Sequence, residues 1–410
     1  MRASAPFKTW LPVVSLSCAA FVFNTSEFVP IGLLNAIASD FHMSEAHAGL
    51  LVSIYAWVVA LFSLPLMLLC SRVELKRLML CVIALFTLSH FLSAFSSGYY
   101  MLMVSRIGVA LSHSLFWSIA SPMAVNVAPK GKQSMALGFI ITGTSLAMVA
   151  GLPLGRVIGL YIDWRTTFGV IGVFALLIGI LFYVVFPTIE PLQTSHPTQN
   201  PLDSKHRHAA WAANLLMLIK NEKFLRICFL TMIFITAHFT AYTYIEPLLA
   251  QVSGFSDGAI TFVLVLFGLM GIISSVLFSK YYDRFHKYFV FGCLFGLWIS
   301  FGGLYLIESY KIAVIMLCAF WGMCIMFFGL VFQSQTIAIS KEASMIAMSI
   351  YSGIYNVGIA SGAMIGGAVV NHLGIAYVGL AASLLALLAG LYFVFKMPFA
   401  RVFNRWTNEN

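Results

Sequence analysis

Charge is what this chain has least of: 14 acidic and 23 basic residues in 410, so that charged side chains make up 9% of the whole. A water-soluble domain carries roughly a quarter charged residues, and the shortfall excludes one here. No stretch reads G-x-x-x-x-G-K-[ST], which leaves no phosphate-cradling loop and no nucleotide motor within the chain. Six of the seven cysteines, Cys18, Cys81, Cys228, Cys293, Cys318 and Cys324, fall in apolar runs without paired spacing, and Cys70 stands at a helix end. Neither a disulfide framework nor a structural zinc follows from them. His196, His206 and His208 are too loosely spaced for a metal site. No cofactor, metal or catalytic centre is expected.

Apolar residues are abundant, at 61% with a mean hydropathy of +0.95, and they come in runs of about twenty, the length that crosses a bilayer. Twelve spans are expected: 11–34, 47–70, 78–95, 99–124, 134–160, 166–186, 224–249, 258–280, 288–307, 312–338, 344–370 and 375–397. The first apolar run is too long for a cleaved signal peptide and is read as the first helix. With the N-terminus in the cytoplasm, 19 of the 23 cations fall on that side and only Arg165 and Lys311 outside, while Arg106 and Arg156 lie within spans. The net charge of +9 is therefore a topology signal that places both termini in the cytoplasm, and not a nucleic-acid footprint.

Between Pro187 and Glu222 the composition turns polar and proline-rich, dividing the chain into a first bundle over 1–186, a linker over 187–223 and a second bundle over 224–410. Within the linker Trp211, Leu215, Leu218 and Ile219 recur at helical spacing beside Lys220 and Lys223. A helix lying on the membrane surface and an ordinary loop both fit that pattern. The halves repeat at an offset of 207 residues, with Gly151, Gly155 and Gly159 answered by Gly358, Gly362 and Gly366. The expected fold is an all-α membrane protein of two six-helix bundles, with a substrate site between them near the midplane. Glu27 and Pro30 match Glu246 and Pro247 only after a further shift.

Glu27 and Glu246 are the two acids inside apolar spans. Burying a carboxylate in hydrocarbon costs at least a few kcal/mol, so Glu27 points to a partner, a wet cavity or a proton pathway. Arg106 lies about as deep in the fourth span as Glu27 in the first, some 10 Å by helical rise. The two can pair, and helix movement would switch Glu27 between an ionised and a protonated state. His113 and Trp117 follow Arg106 at seven and eleven residues, sharing its helical face. A buried polar pair holding helices together is the alternative for Glu27, Arg106 and His113. The second half offers neutral groups: His238, Tyr242, Tyr244 and Glu246 in the seventh span, Gln333 and Gln335 in the tenth, Tyr355 and Asn356 in the eleventh. Amides, hydroxyls and aromatic faces suit a sugar, though Asn356 fits a helix-bridging role equally well. Asn24 and Trp117 join the substrate-facing set. The glycines of 151–159 permit close helix contact, and Pro153 removes a backbone hydrogen bond where the helix can bend.

Phe23-Asn-Thr-Ser-Glu27-Phe-Val-Pro30, Ser105-Arg106-Ile-Gly-Val-Ala-Leu-Ser-His113, Gly151-Leu-Pro-Leu-Gly-Arg156, Tyr244-Ile-Glu246-Pro247 and Gly353-Ile-Tyr-Asn356-Val-Gly together resemble the major facilitator superfamily, and more closely its proton-coupled drug and sugar efflux branch. The resemblance implies a bacterial inner-membrane exporter, acting as a monomer, that exchanges protons for arabinose or thiogalactoside-like sugars. It implies that Glu27 and His113 couple protons, that Asn356 lies beside the sugar, and that Gly151, Pro153, Gly155, Arg156 and Gly159 form the antiporter motif. In the loop between the second and third spans, Arg72 stands where that family has an aspartate. An exporter of amphipathic drugs is the second reading. The readings from a different class are a membrane enzyme, which would cluster acids or metal ligands at one face as this chain does not, and a non-transporting sensor, which stays open although no signalling domain is appended.

Overall fold

The structure is a computed structural model that describes residues 9–70, 73–129, 132–188, 213, 215–339 and 344–396. Among them there is helix and no strand. The helices are α1 (Leu11–Phe28), α2 (Leu34–Asp40), α3 (Glu45–Cys70), α4 (Leu75–Ala94), α5 (Tyr99–Val127), α6 (Gln133–Leu146), α7 (Leu152–Tyr161), α8 (Trp164–Val185), a short α9 over residues 215–220, α10 (Glu222–Tyr242), α11 (Ile245–Gln251), α12 (Asp257–Leu306), α13 (Lys311–Ile339), α14 (Ser344–His372) and α15 (Val378–Lys396). They supply twelve segments long and apolar enough to span a membrane. This is a multi-pass membrane protein. The expected eighth and ninth spans run together as α12, broken only at Phe285, where φ is −126° and ψ 24°.

Two compact units emerge, one of residues 1–43 and 54–207, the other of residues 44–53 and 208–410. The start of α3 thus belongs with the second unit, where Ser53 Oγ donates to the Ala360 carbonyl at 2.8 Å and Gln251 Nε2 to Glu45 Oε1 at 2.8 Å. Part of the expected surface helix falls on α9: Leu218 is buried with Phe224, Cys228 and Ala347, whereas Leu216 and Ile219 are exposed. Trp211 lies outside the described residues, as does Arg72.

The first and seventh spans do not run straight, and proline explains the break in the first. α1 stops at Phe28, Pro30 sits at the start of a 3-10 turn over Val29–Leu33, and α2 resumes the span to Asp40. In the seventh, α10 ends at Tyr242 and α11 restarts with Pro247 in its first turn, where a missing N–H costs nothing. The fifth span breaks too. A π turn over Ala147–Gly151 precedes Pro153, with Leu152 N–H reaching back five residues to the Ala147 carbonyl. The bend expected from Pro153 is therefore a widened turn just ahead of the proline.

The duplication is real but its register differs from the sequence reading. α2 and α11 are both seven residues long and start at 34 and 245, an offset of 211; α5 and α13 start at 99 and 311, an offset of 212. Glycine contacts agree. Gly151 meets Thr25 and Gly155 meets Val29, while Gly362 meets Thr236 and Gly366 meets Thr240 and Tyr244. Gly151 therefore corresponds to Gly362 and not to Gly358. Glycines four residues apart look alike after a slide of one helical turn, which is why the shorter offset also fitted the letters.

Candidate functional site

Glu27 sits in the last turn of α1, against the break, with its side chain 12% exposed. One turn earlier Phe23 is sandwiched between Phe86 of α4 and Phe116 of α5, at ring separations of 3.9 and 4.2 Å. That apolar floor forces the polar groups above it to satisfy one another. Glu27 Oε2 is 3.5 Å from His113 Nε2 on α5. The same nitrogen accepts from the Trp117 indole N–H at 2.6 Å, so in this arrangement the neutral ring carries its proton on Nδ1, which is buried without a partner. A protonated Glu27 and Trp117 thus compete for one lone pair. For the imidazole to take a proton at Nε2, the indole must let go.

Arg106 is 1% exposed and lies over the Tyr55 ring at 4.6 Å, a stacking that partly replaces lost hydration. The expected ion pair with Glu27 is not formed. Arg106 Nη1 donates instead to the Ser26 carbonyl at 3.1 Å and to Ser26 Oγ at 3.4 Å, and its Nε and Nη2 have no partner. Leaving a buried donor unsatisfied costs about 1–3 kcal/mol. A guanidinium in that position is poised to accept an anion. Asn24 faces away from this cluster, donating to the Thr144 carbonyl at 3.3 Å.

The second unit contains the neutral groups, held by packing of a different kind. His238 stacks on Tyr242 at 4.9 Å, and Nδ1 accepts from the fully buried Trp321 at 3.0 Å. That bond fixes the neutral tautomer with a donor on Nε2. Asn356 is 8% exposed, donates to the Ser352 carbonyl at 3.0 Å and leaves Oδ1 without a partner; Gln335 Oε1 is likewise unpartnered. Tyr355 is half-buried with its ring 6.2 Å from Tyr351, and Gln333 is exposed. Tyr244 serves packing: its hydroxyl donates to the Ala363 carbonyl at 3.0 Å and its ring fills the space beside Gly366. Glu246 is buried on α11, and the offset of 211 aligns His238, rather than Glu246, with Glu27.

The residues expected to form an antiporter motif lie along the seam between the first span and α7 with the π turn before it. A methyl on Gly155 would meet Val29 Cγ2 at 2.6 Å, and those on Gly151 and Gly159 would meet Thr25 and Leu33. Pro153 and Arg156 are buried, and the Arg156 side chain lies along Gly32. Ser26, His90 and Trp321 were missed from sequence. A hydroxyl beside Glu27 and a histidine inside the third span were the available signals.

The family model described as Major Facilitator Superfamily matches residues 16–346. The chain belongs to the Major Facilitator Superfamily. It is a secondary transporter by that membership. It is 41% identical, over 95% of both chains, to a protein of Mannheimia succiniciproducens described as a probable sugar efflux transporter. Its fold is similar to that of a bacterial homologue of the human lysosomal transporter Spinster, with a TM-score of 0.73 at 13% identity over 96% and 97% of the two chains. A D-xylose–proton symporter gives 0.73 at 15% identity over 94% and 96%.

Proposed function

We propose that the chain exports a sugar in exchange for protons by alternating access, with Glu27 as the carboxyl that exchanges and His113 as its partner. The observation that carries this reading is a carboxyl in a membrane span, 12% exposed, 3.5 Å from an imidazole. A cation lies in the same cluster but is not paired with it. Such a carboxyl can be ionised or protonated at modest cost, according to where Arg106, Trp117 and His113 stand. The sugar rests on the similarity to the Mannheimia protein and on chemistry. The second unit presents two unpartnered amide oxygens, on Asn356 and Gln335, and an imidazole with a fixed donor, groups that hydrogen-bond hydroxyls without needing charge. No reacting cluster is required of a transporter, and we assign the chain no enzymatic step. The distribution of cations supports cytoplasmic termini in a bacterial inner membrane.

Everted vesicles with an imposed pH gradient, offered a panel of radiolabelled sugars and cationic dyes, test this directly. Sugar accumulation that a protonophore collapses is the expected result. Accumulation of dyes alone overturns the substrate class, and gradient-independent movement overturns the coupling.

A further inference from the structure

The first unit contains a histidine that the reading above does not use. His90, on α4, is 0% exposed, and its ring lies 4.4 Å from that of Phe86 and 6.0 Å from that of Phe168. Its Nε2 is 2.7 Å from Ser26 Oγ, the oxygen that Arg106 Nη1 reaches at 3.4 Å while bonding the Ser26 carbonyl at 3.1 Å. A guanidinium can only donate, so the hydroxyl accepts from it; with the His90 proton on Nδ1, the hydroxyl's own O–H donates to Nε2, its one acceptor within reach. In that tautomer the chain of bonds runs from Arg106 through Ser26 to His90. The imidazole is its terminal acceptor.

Ser26 is the residue before Glu27, so Arg106 is anchored on the backbone next to the carboxyl yet forms no ion pair with it. The duplication supplies an independent control. At offsets of 211 for the first span and 212 for the third and fourth, Ser26, Glu27, His90, Arg106 and His113 correspond to Ala237, His238, Gly302, Cys318 and Ile325. At the position of Glu27 the second half has His238 in place of the acid, and the positions of Ser26, His90 and Arg106 hold no serine, histidine or arginine. The four residues occur as a set.

We propose that the Ser26 hydroxyl, backed by His90, is a tether that orients the Arg106 guanidinium on the Ser26 carbonyl and so holds it off Glu27, keeping that carboxyl free to take up a proton; His90 is thus a positioning residue of the coupling site. The inference rests on Glu27 exchanging protons, as proposed above. No longer oriented by the Ser26 hydroxyl, the guanidinium could turn its unpartnered Nε and Nη2 onto the carboxylate, a bidentate pairing that favours its ionised form. The groups facing Glu27 are few. α5 brings Arg106 and His113, α3 brings Tyr55 and α4 brings His90. α6 and the π turn carry no charged residue, the Arg156 of α7 lies along Gly32, and the Arg165 of α8 is paired with Asp40 at 2.8 Å.

Infrared difference spectroscopy on the purified full-length chain, without substrate, reads the proton on Glu27 as the carboxylic-acid band that E27Q removes. The midpoint of that band against pH is expected to move to acid by about one unit or more in S26A and in H90L, a tenfold loss of proton affinity. H90Q, which keeps an acceptor for the serine hydroxyl, is expected to stay near the wild type. Midpoints in S26A that coincide with the wild type, or move to alkali, overturn the tether, and S26A decides the matter even where H90L does not fold. A shifted midpoint in a protein whose sugar flux ignores the pH gradient upholds the tether and sinks the exporter reading instead.

Discussion

At the scale of single residues, the chemistry is a competition for a few lone pairs in a space with little water. His113 Nε2 can serve Trp117 or Glu27 but not both, so replacing Trp117 by Phe frees that nitrogen for the carboxyl. The pH profile of transport in W117F is expected to depart from the wild-type profile, and that of H113A to lose its dependence on this pair; superimposable profiles in both variants would remove the imidazole from the proton cycle. In the second unit, Asn356→Ala deletes an unpartnered buried acceptor. A single hydrogen bond to a substrate hydroxyl is worth about 1 ± 0.5 kcal/mol net, so sugar affinity should fall by about three- to tenfold with expression unchanged. Equilibrium binding checks this, and an unaltered dissociation constant removes Asn356 from the site. Glu27, Arg106 and His113 were legible as candidates because ionisable groups stand out in apolar runs. Ser26 and Trp321 were not, since a serine or tryptophan in a membrane helix is ordinary until its partner is known.

At the scale of helices, the seams are made by glycine and the breaks by proline. A methyl on Gly362 would lie 2.5 Å from the Thr236 carbonyl, which cannot yield without parting α10 from α14, whereas one on Gly155 meets only side chains, those of Val29 and Thr167. Gly362→Ala is therefore expected to lose about 1–3 kcal/mol and Gly155→Ala less. Melting in detergent orders the two, and equal midpoints would contradict the rigid-seam account. The number of spans and most of their ends could be read from hydropathy alone, because the bilayer sets the length. The interruptions could not. α1 halts just past Glu27 and the span continues through α2, while α10 halts at Tyr242 before α11. Proline signalled both places, but only the backbone tells how far a break extends and on which side the helix resumes. The repeat register failed for the same reason, a slide of one turn being almost invisible in a glycine-rich stripe.

At the scale of the whole molecule, the two halves share a fold and have diverged in chemistry. One groups an acid with a cation and two imidazoles; the other keeps its acid, Glu246, on α11 and presents amides, a locked histidine and aromatic rings. Membership of the Major Facilitator Superfamily establishes the kind of protein, and the division between a half where an acid, an arginine and two imidazoles cluster and a half rich in amides and aromatic rings is what we propose this chain does with the fold. The most direct measurement is accumulation of a radiolabelled thiogalactoside in proteoliposomes under an imposed pH gradient, comparing the wild type with Glu27→Gln. The wild type should accumulate the sugar against its gradient, and the variant should bind it with similar affinity yet show no accumulation. Undiminished proton-driven accumulation by Glu27→Gln would contradict the account.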